Sequence, residues 1–280
     1  MRALLFAVLA VAGCTGAPAS PTAPVHFPKV LDTGDGARLQ GLGTGVLRLE
    51  GGCLRLVAGA GSRLIIWTPG ARLEGGGGQP LRVVDPTTGF GVEAGERIVI
   101  GGGEIDAVEA NGLNGPIPAS CPGPYWLAAE GFHAAPDVGW TPIRATGPFS
   151  LKAPAELRRL PVRGIDSAVD RLDGPGLKLD FDYGQYSCGI PDAPAGERHV
   201  VSTSYVDQRP VKLDRYAAAS PEAGEWAERL QANFTNLERL AGYPPGMANC
   251  LAVHARCRTD RDCDVARSII DTIDFDAPSR

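Results

Sequence analysis

A chain of 280 residues is long enough for two domains of roughly 100–150 residues each. Gly 37 and Pro 24 make it turn-heavy, and 44 % hydrophobic against 21 % charged residues allows a packed core. Lys+Arg 27 against Asp+Glu 32 leaves a net charge of −5. No stretch gathers the basic side chains that tracking a phosphate backbone requires, which argues against nucleic acid as a partner.

Met1-Arg2 supplies one positive charge, and Ala3 to Ala12 is an apolar run of signal-sequence length, too short to remain as a membrane span. The next residues, Val11-Ala12-Gly13-Cys14, resemble the bacterial lipobox. That resemblance implies cleavage before Cys14 and acylation of Cys14, with palmitate among the chains. More than one acyl chain gives stable anchoring. Thr15 stands where an Asp would resemble the inner-membrane retention signal, which favours the outer membrane. Residues 1–13 are thus expected to be a signal peptide, and residues 14–28 a lipidated cysteine with a Pro-rich tether (Ala17 to Pro24, APASPTAP). The expected place is the cell envelope, facing the periplasm or the cell surface, with the lipid as the membrane contact.

Assigning Cys14 to lipid leaves six of the seven cysteines, and six can pair in 15 ways. Export permits disulfides, and the favoured set is Cys53–Cys121, Cys188–Cys250 and Cys257–Cys263. Zinc competes, because Cys250, His254, Cys257 and Cys263 offer a Cys3His donor set. Against it, NCLAVHARC reads as a strand, in which Cys250 and Cys257 point to opposite faces.

In chain order, Gly41 to Gly45 leads into a strand and not into the helix start that cradles phosphate. Short apolar runs follow at Val46–Gly51, Cys53–Val57, Arg63–Trp67, Leu81–Asp85 and Arg97–Gly101, broken by glycines. They predict a small all-β barrel or sandwich over residues 29–130. Cys121 to Trp126 (CPGPYW) closes this unit, with Trp67 and Trp126 packed as core and not as ligand platforms. Residues 131–148 are expected to be a linker.

Residues 149–280 predict an α+β domain with an antiparallel sheet. Phe149–Pro154, Gly176–Tyr183, His199–Val206 and Cys250–Cys257 alternate as strands. Pro221 to Leu240 carries Trp226, Leu230, Phe234, Leu237 and Leu240 at spacings of three to four and predicts a helix. A last helix begins near Asp262–Asp264, runs through Ile270, and is followed by a short strand at Ile273–Phe275.

The block IDSAVDRLDGPGLKLDFDYGQYS (Ile165–Ser187), with AVHARC and ARSIIDTIDF downstream, resembles a recurrent bacterial envelope domain of uncharacterised function. Asp166, Asp182, Tyr183, Gly184 and Tyr186 stand at its matching places. The layout is also similar to PsbP-type α+β sandwiches in architecture. GVLRLEGGCLRL, IIWTPGARL, RIVIGGGEI and CPGPYW resemble a small β-domain of exported bacterial proteins. Neither resemblance implies an activity.

Val30-Leu31-Asp32-Thr33-Gly34 resembles the aspartic-peptidase signature, with Ile98 to Gly101 as the apolar-Gly element of single-domain members. The mechanism needs two aspartates sharing a proton, so a single-motif chain must dimerise. Asp35 departs from that pattern, and turn roles for Asp32 and Asp35 compete. Asp260, Asp262, Asp264 and Asp271 imitate a calcium loop, but Val265 replaces the turn glycine, and helix capping explains them better. G-x-S-x-G and H-E-x-x-H are missing from the sequence. Alternation puts Asp180 and Asp182 on one strand face, and with Tyr183 and Tyr186 they form the candidate ligand surface. No catalytic residue, metal ligand or cofactor is assigned. The expected role is non-catalytic binding or assembly directed at an envelope protein or a small ligand, with an aspartic-type peptidase at Asp32 or a zinc module as alternatives.

Overall fold

Apolar side chains at alternate positions set the first hairpin, β1 (Gly41–Glu50) and β2 (Cys53–Ala58). Its turn, Gly51-Gly52, has positive φ at both residues, a conformation open to glycine at little cost. The computed structural model describes residues 24–31, 39, 41–76, 79–108, 112–136, 139–189, 198–217, 226–237 and 249–275. β3 (Gly61–Ile66) follows, then a three-stranded sheet of β4 (Arg72–Gly76), β5 (Gln79–Val84) and β6 (Gly91–Glu93). β7 (Arg97–Ile105) and β8 (Tyr125–Ala134) return to the first hairpin and close a barrel in the order β1-β2-β3-β8-β7. Every neighbouring pair in it is antiparallel except β3 and β8. This is the connectivity of the five-stranded Greek-key barrel called the OB-fold, with the three-stranded sheet inserted after the third strand.

Leu47, Leu56, Ile65, Ile98, Ile100 and Phe132 fill the barrel, joined by Val83 and Val92 from the inserted sheet. Trp67 is fully buried between Phe27 and Phe132, with ring centroids 5.5 and 5.1 Å away. It is core, as expected, while Trp126 is partly buried against the same cluster. The glycines of β1 make room for it: a Cβ on Gly43 would lie 2.8 Å from the Trp126 ring. Before β1 the chain lies against the barrel, since His26 bridges Cys53, Lys29 bridges Trp67 and Val30 bridges Leu113. The last residues of the expected tether are therefore packed on the barrel. Cys14 and Asp32 lie outside the described residues.

Much of the interval expected to be a linker is strand, because β8 runs on to Ala134 and β9 (Thr141–Arg144) pairs with β10 (Ser150–Ala153). Then come β11 (Arg158–Leu160), β12 (Ala168–Asp173), β13 (Leu177–Gly184), β14 (Arg198–Val206), β15 (Arg209–Ala217), β16 (Glu228–Leu237) and β17 (Asn249–Cys257). They form one antiparallel sheet in the order β11-β12-β13-β17-β16-β15-β14. One face, carrying Leu179, Phe181, Val253, Leu230, Phe234 and Leu213, packs with Ala266, Ile269 and Ile270 of α1 (Asp260–Ile270). The expected strand after α1 is a single bridge from Asp274 to Ser150.

The helix predicted over Pro221 to Leu240 is corrected: residues 228–237 are β16. Leu230 and Phe234 are four apart, an even number, so they share a face in a strand as well as in a helix. Leu237 joins that buried side because the register shifts between Phe234 and Leu237, where Asn236 has a φ of 57°. The three favoured disulfides form, with Cα–Cα distances of 5.7 Å for Cys53–Cys121, 4.9 Å for Cys188–Cys250 and 5.4 Å for Cys257–Cys263. The molecule is mostly β, built on a closed barrel and separate sheets.

α1 joins the two halves. Thr259 caps it, with its hydroxyl oxygen accepting from the Asp262 N–H at 3.2 Å and Asp262 accepting from the Thr259 N–H at 2.9 Å. Asp264, 1 % exposed, receives Arg82 Nη2 at 2.6 Å, the Gly91 N–H at 3.1 Å and Arg215 Nη1 at 3.3 Å. The Ser268 hydroxyl donates to the Ala134 carbonyl at 2.7 Å, and His133 Nε2 lies 2.7 Å from Asp271 Oδ2.

Candidate functional site

The seven-stranded sheet turns one face to α1 and carries most of its polar side chains on the other. Along β13 burial alternates, with Leu177, Leu179, Phe181 and Tyr183 in the core and Lys178, Asp180 and Asp182 on the outer face. Asp180 and Asp182 thus share a face as predicted. Tyr183 does not belong with them: it is 1 % exposed and packs 6.4 Å from Phe149. Tyr186 lies beyond the end of β13 and is 77 % exposed. The four predicted residues are therefore split between the core, the outer face and a turn.

Strand register adds residues that sequence reasoning did not assign to this face. At one level Arg171, Asp180, His254, Gln231 and Asp214 stand side by side on β12, β13, β17, β16 and β15. Arg171 Nε pairs with Asp180 Oδ1, and Arg256 Nη2 reaches Asp180 Oδ2 at 3.3 Å. With two guanidiniums on it, Asp180 is an anchored carboxylate and not a free base. Burial holds the His254 imidazole below its ordinary value, and nearby Asp180 and Asp182 only partly oppose this. His254 is therefore neutral at pH 7 and offers both a donor and an acceptor.

Three polar atoms on this face are buried without a hydrogen-bond partner among the described residues: the acceptors Asp182 Oδ1 and Gln231 Oε1, and the Ser187 hydroxyl, which can donate or accept. Their neighbours are fixed. Gln231 Nε2 donates to the Tyr216 hydroxyl at 2.5 Å, and Asn233 Nδ2 donates to the Ser187 carbonyl at 3.2 Å. The Cys188–Cys250 disulfide ties the chain after β13 to this side of β17. An unmet buried polar group costs about 1–3 kcal/mol, and donors on a bound molecule would remove that cost.

The zinc alternative is corrected here: Cys250, Cys257 and Cys263 are all in disulfides and cannot ligate as thiolates. No group of three or more metal-binding side chains occurs among the described residues. The calcium-like spacing resolves into other tasks, with Asp262 capping α1 and Asp264 paired to arginines. A second polar recess, of about 480 Å³, opens where the inserted sheet meets β15 and is lined by Arg82, Glu74, Arg215, Glu228 and Asp260. Its arginines are already engaged by those carboxylates and by Asp264.

Geometry thus defines a mostly β protein with a hydrogen-bonding sheet face. Comparison of the chain with models of protein families, with curated proteins and with solved structures finds no match.

Proposed function

We propose that the chain is a lipid-anchored protein of the bacterial cell envelope with a non-catalytic binding or assembly role. It comprises an N-terminal β-barrel domain and a C-terminal α+β domain, and it engages its ligand through the outer face of the seven-stranded sheet. The observation that carries the binding role is the set of unpartnered buried polar atoms, Asp182 Oδ1, Gln231 Oε1 and Ser187 Oγ, beside a neutral His254. Two oxygens that can only accept, Asp182 Oδ1 and Gln231 Oε1, suit a ligand that carries hydroxyl or amine donors, either a small saccharide or an exposed segment of an envelope protein. The three disulfides support an oxidising compartment, and the lipobox resemblance at Cys14 supports the anchor.

Two measurements test this reading separately. Intact mass of membrane-extracted protein should match a chain beginning at acylated Cys14 that takes up no alkylating reagent without reduction. An unprocessed chain or free thiols would remove the envelope assignment. Thermal shift with a panel of neutral saccharides and polyamines should raise the melting temperature of the wild type and not of Asp182→Ala. No shift with any member, or an equal shift in the variant, would remove the binding role from this face.

A further inference from the structure

The two edges of the seven-stranded sheet are built differently. β11 is three residues long, carries Arg158 and Arg159, and runs into Pro161. Short length, charge and proline are the devices that keep a free edge from pairing. β14 is nine residues long, and beyond Arg198 and His199 at its start, from Val200 to Val206 (VVSTSYV), it contains no charged residue, proline or glycine. It pairs with β15 on one side, and among the described residues no strand pairs with it on the other.

The turn that follows fixes which backbone groups of β14 face outward. Asp207 and Gln208 have φ of 48° and 59°, the signature of a two-residue type I′ hairpin turn. Val206 and Arg209 flank that turn and form a hydrogen-bonded pair with each other, so bonding to β15 alternates from there. Ser204 and Ser202 point their N–H and C=O groups at β15. Tyr205, Thr203 and Val201 point theirs away. Pro210 sits opposite Tyr205, at a position where no N–H is required. The same three outward residues carry exposed side chains, with Val201 at 49 % and Tyr205 at 72 %.

We propose that β14 pairs antiparallel with β14 of a second copy, about a two-fold axis at Thr203, making the protein a symmetric dimer with a sheet continuous across both chains. The strand is complementary to itself in this register and not in its neighbours. Thr203 faces the partner's Thr203, and Val201 faces the partner's Tyr205 on the same side of the sheet. Thr–Thr and aromatic–β-branched pairs are favourable cross-strand combinations. The antiparallel pattern yields about six backbone hydrogen bonds between chains. A register centred on Tyr205 would instead oppose Thr203 to the Asp207 turn. The contact is isologous and closes on itself, so it ends at two chains. It does not depend on the binding role or on the lipid, although two chains tethered to one membrane would meet at a higher local concentration.

The test is the mass of the full mature chain in density-matched detergent by sedimentation equilibrium, from about 1 to about 100 μM. Twice the monomer mass at the upper end is expected. Thr203→Lys puts like charges on the axis and should raise the dimer dissociation constant at least about tenfold, with the melting temperature unchanged at concentrations where both proteins are monomeric, because residue 203 is exposed on an edge of the single chain. Thr203→Cys should cross-link into a disulfide-bonded dimer on mild oxidation, since a hydrogen-bonded antiparallel pair holds its Cα atoms about 5.5 Å apart. Tyr205→Cys should not, because it faces the partner's Val201. A monomer over the whole range, a dimer indifferent to Thr203→Lys, or equal cross-linking of the two cysteine variants would overturn the proposal.

Discussion

Replacing Asp264 by alanine probes the joint between the two halves. Its carboxylate receives Arg82 Nη2 at 2.6 Å, Arg215 Nη1 at 3.3 Å and the Gly91 N–H at 3.1 Å, and its side chain is 1 % exposed. After the substitution Arg215 keeps Asp260 at 3.1 Å and Glu228 at 3.5 Å. Among the described residues Arg82 keeps only the ion pair with Glu74 at 3.4 Å, a side chain 45 % exposed, while the Arg82 side chain itself is 12 % exposed. The cost therefore comes chiefly from leaving Arg82 under-paired. Breaking a buried pair costs about 3–5 kcal/mol. The partners that remain on Arg215 hold the loss to the lower part of that range, and the orphaned Gly91 N–H adds about 1 kcal/mol. We expect a loss of about 4 kcal/mol, read as a lower guanidinium midpoint at unchanged slope with the disulfides intact. The double variant Arg82→Met/Asp264→Leu removes both charges and should lose no more than about 2 kcal/mol, because an apolar replacement of a buried pair is often nearly neutral. A single variant that costs under about 1 kcal/mol, or a double variant worse than the single, would refute the reasoning.

Three further outcomes follow from burial and covalent topology. His254 is held below its ordinary value, so near pH 6.5 the unfolded chain takes up a proton that the folded chain does not. This contribution is fully present above about pH 6.5 and is lost as pH falls toward the folded value, with a slope of at most about 1.4 kcal/mol per pH unit. The stability difference between wild type and His254→Gln should change between about pH 7.5 and about pH 5, and a constant difference would contradict it. Removing Cys53–Cys121, which spans 68 residues, should cost about 4 kcal/mol by loop entropy, against about 2 kcal/mol for Cys257–Cys263, which spans 6; equal losses would argue against the loop account. Trp67→Ala should cost about 3–5 kcal/mol in chemical denaturation, because the side chain is fully buried; a loss below about 1 kcal/mol would mean that it is not a core anchor.

Strict alternation was legible from the residues alone at β13, where Leu177, Leu179 and Phe181 meet the core and Lys178, Asp180 and Asp182 do not. The same alternation carried the information that misplaced Tyr183: a residue one step from Asp182 must point to the opposite face, and it does. β16 could not be read, because Trp226, Leu230 and Phe234 recur every four residues, which satisfies a period of 2 as well as one of 3.6. Only the pairing of Leu230 with Ala255 and of Phe234 with Leu251 decides between them, and that pairing is non-local. The disulfides were legible in part because each closes within one half of the chain, whereas His254 and Gln231 join the outer face only through register with Asp180 and Asp214.

The acidic run before Ile269 shows most clearly what spacing alone leaves open. Asp260, Asp262, Asp264 and Asp271 fall at intervals that suit a cation loop, yet on α1 those intervals distribute the carboxylates around the helix and along its length. Asp262 turns back to cap Thr259, and Asp260 lies 3.1 Å from Arg215. Asp264 faces inward between Arg82 and Arg215. Asp271, at the other end, lies 2.7 Å from Arg267 Nη2 and 2.7 Å from His133 Nε2. The helix therefore places carboxylates at both ends against basic side chains, with Arg82 and His133 from the barrel half and Arg215 from the sheet half. A chain that needed these aspartates for a metal could not also spend them on Arg82, Arg215 and His133. The partner that tells the two uses apart stands 182 residues away in sequence at Arg82, beyond the reach of any local pattern.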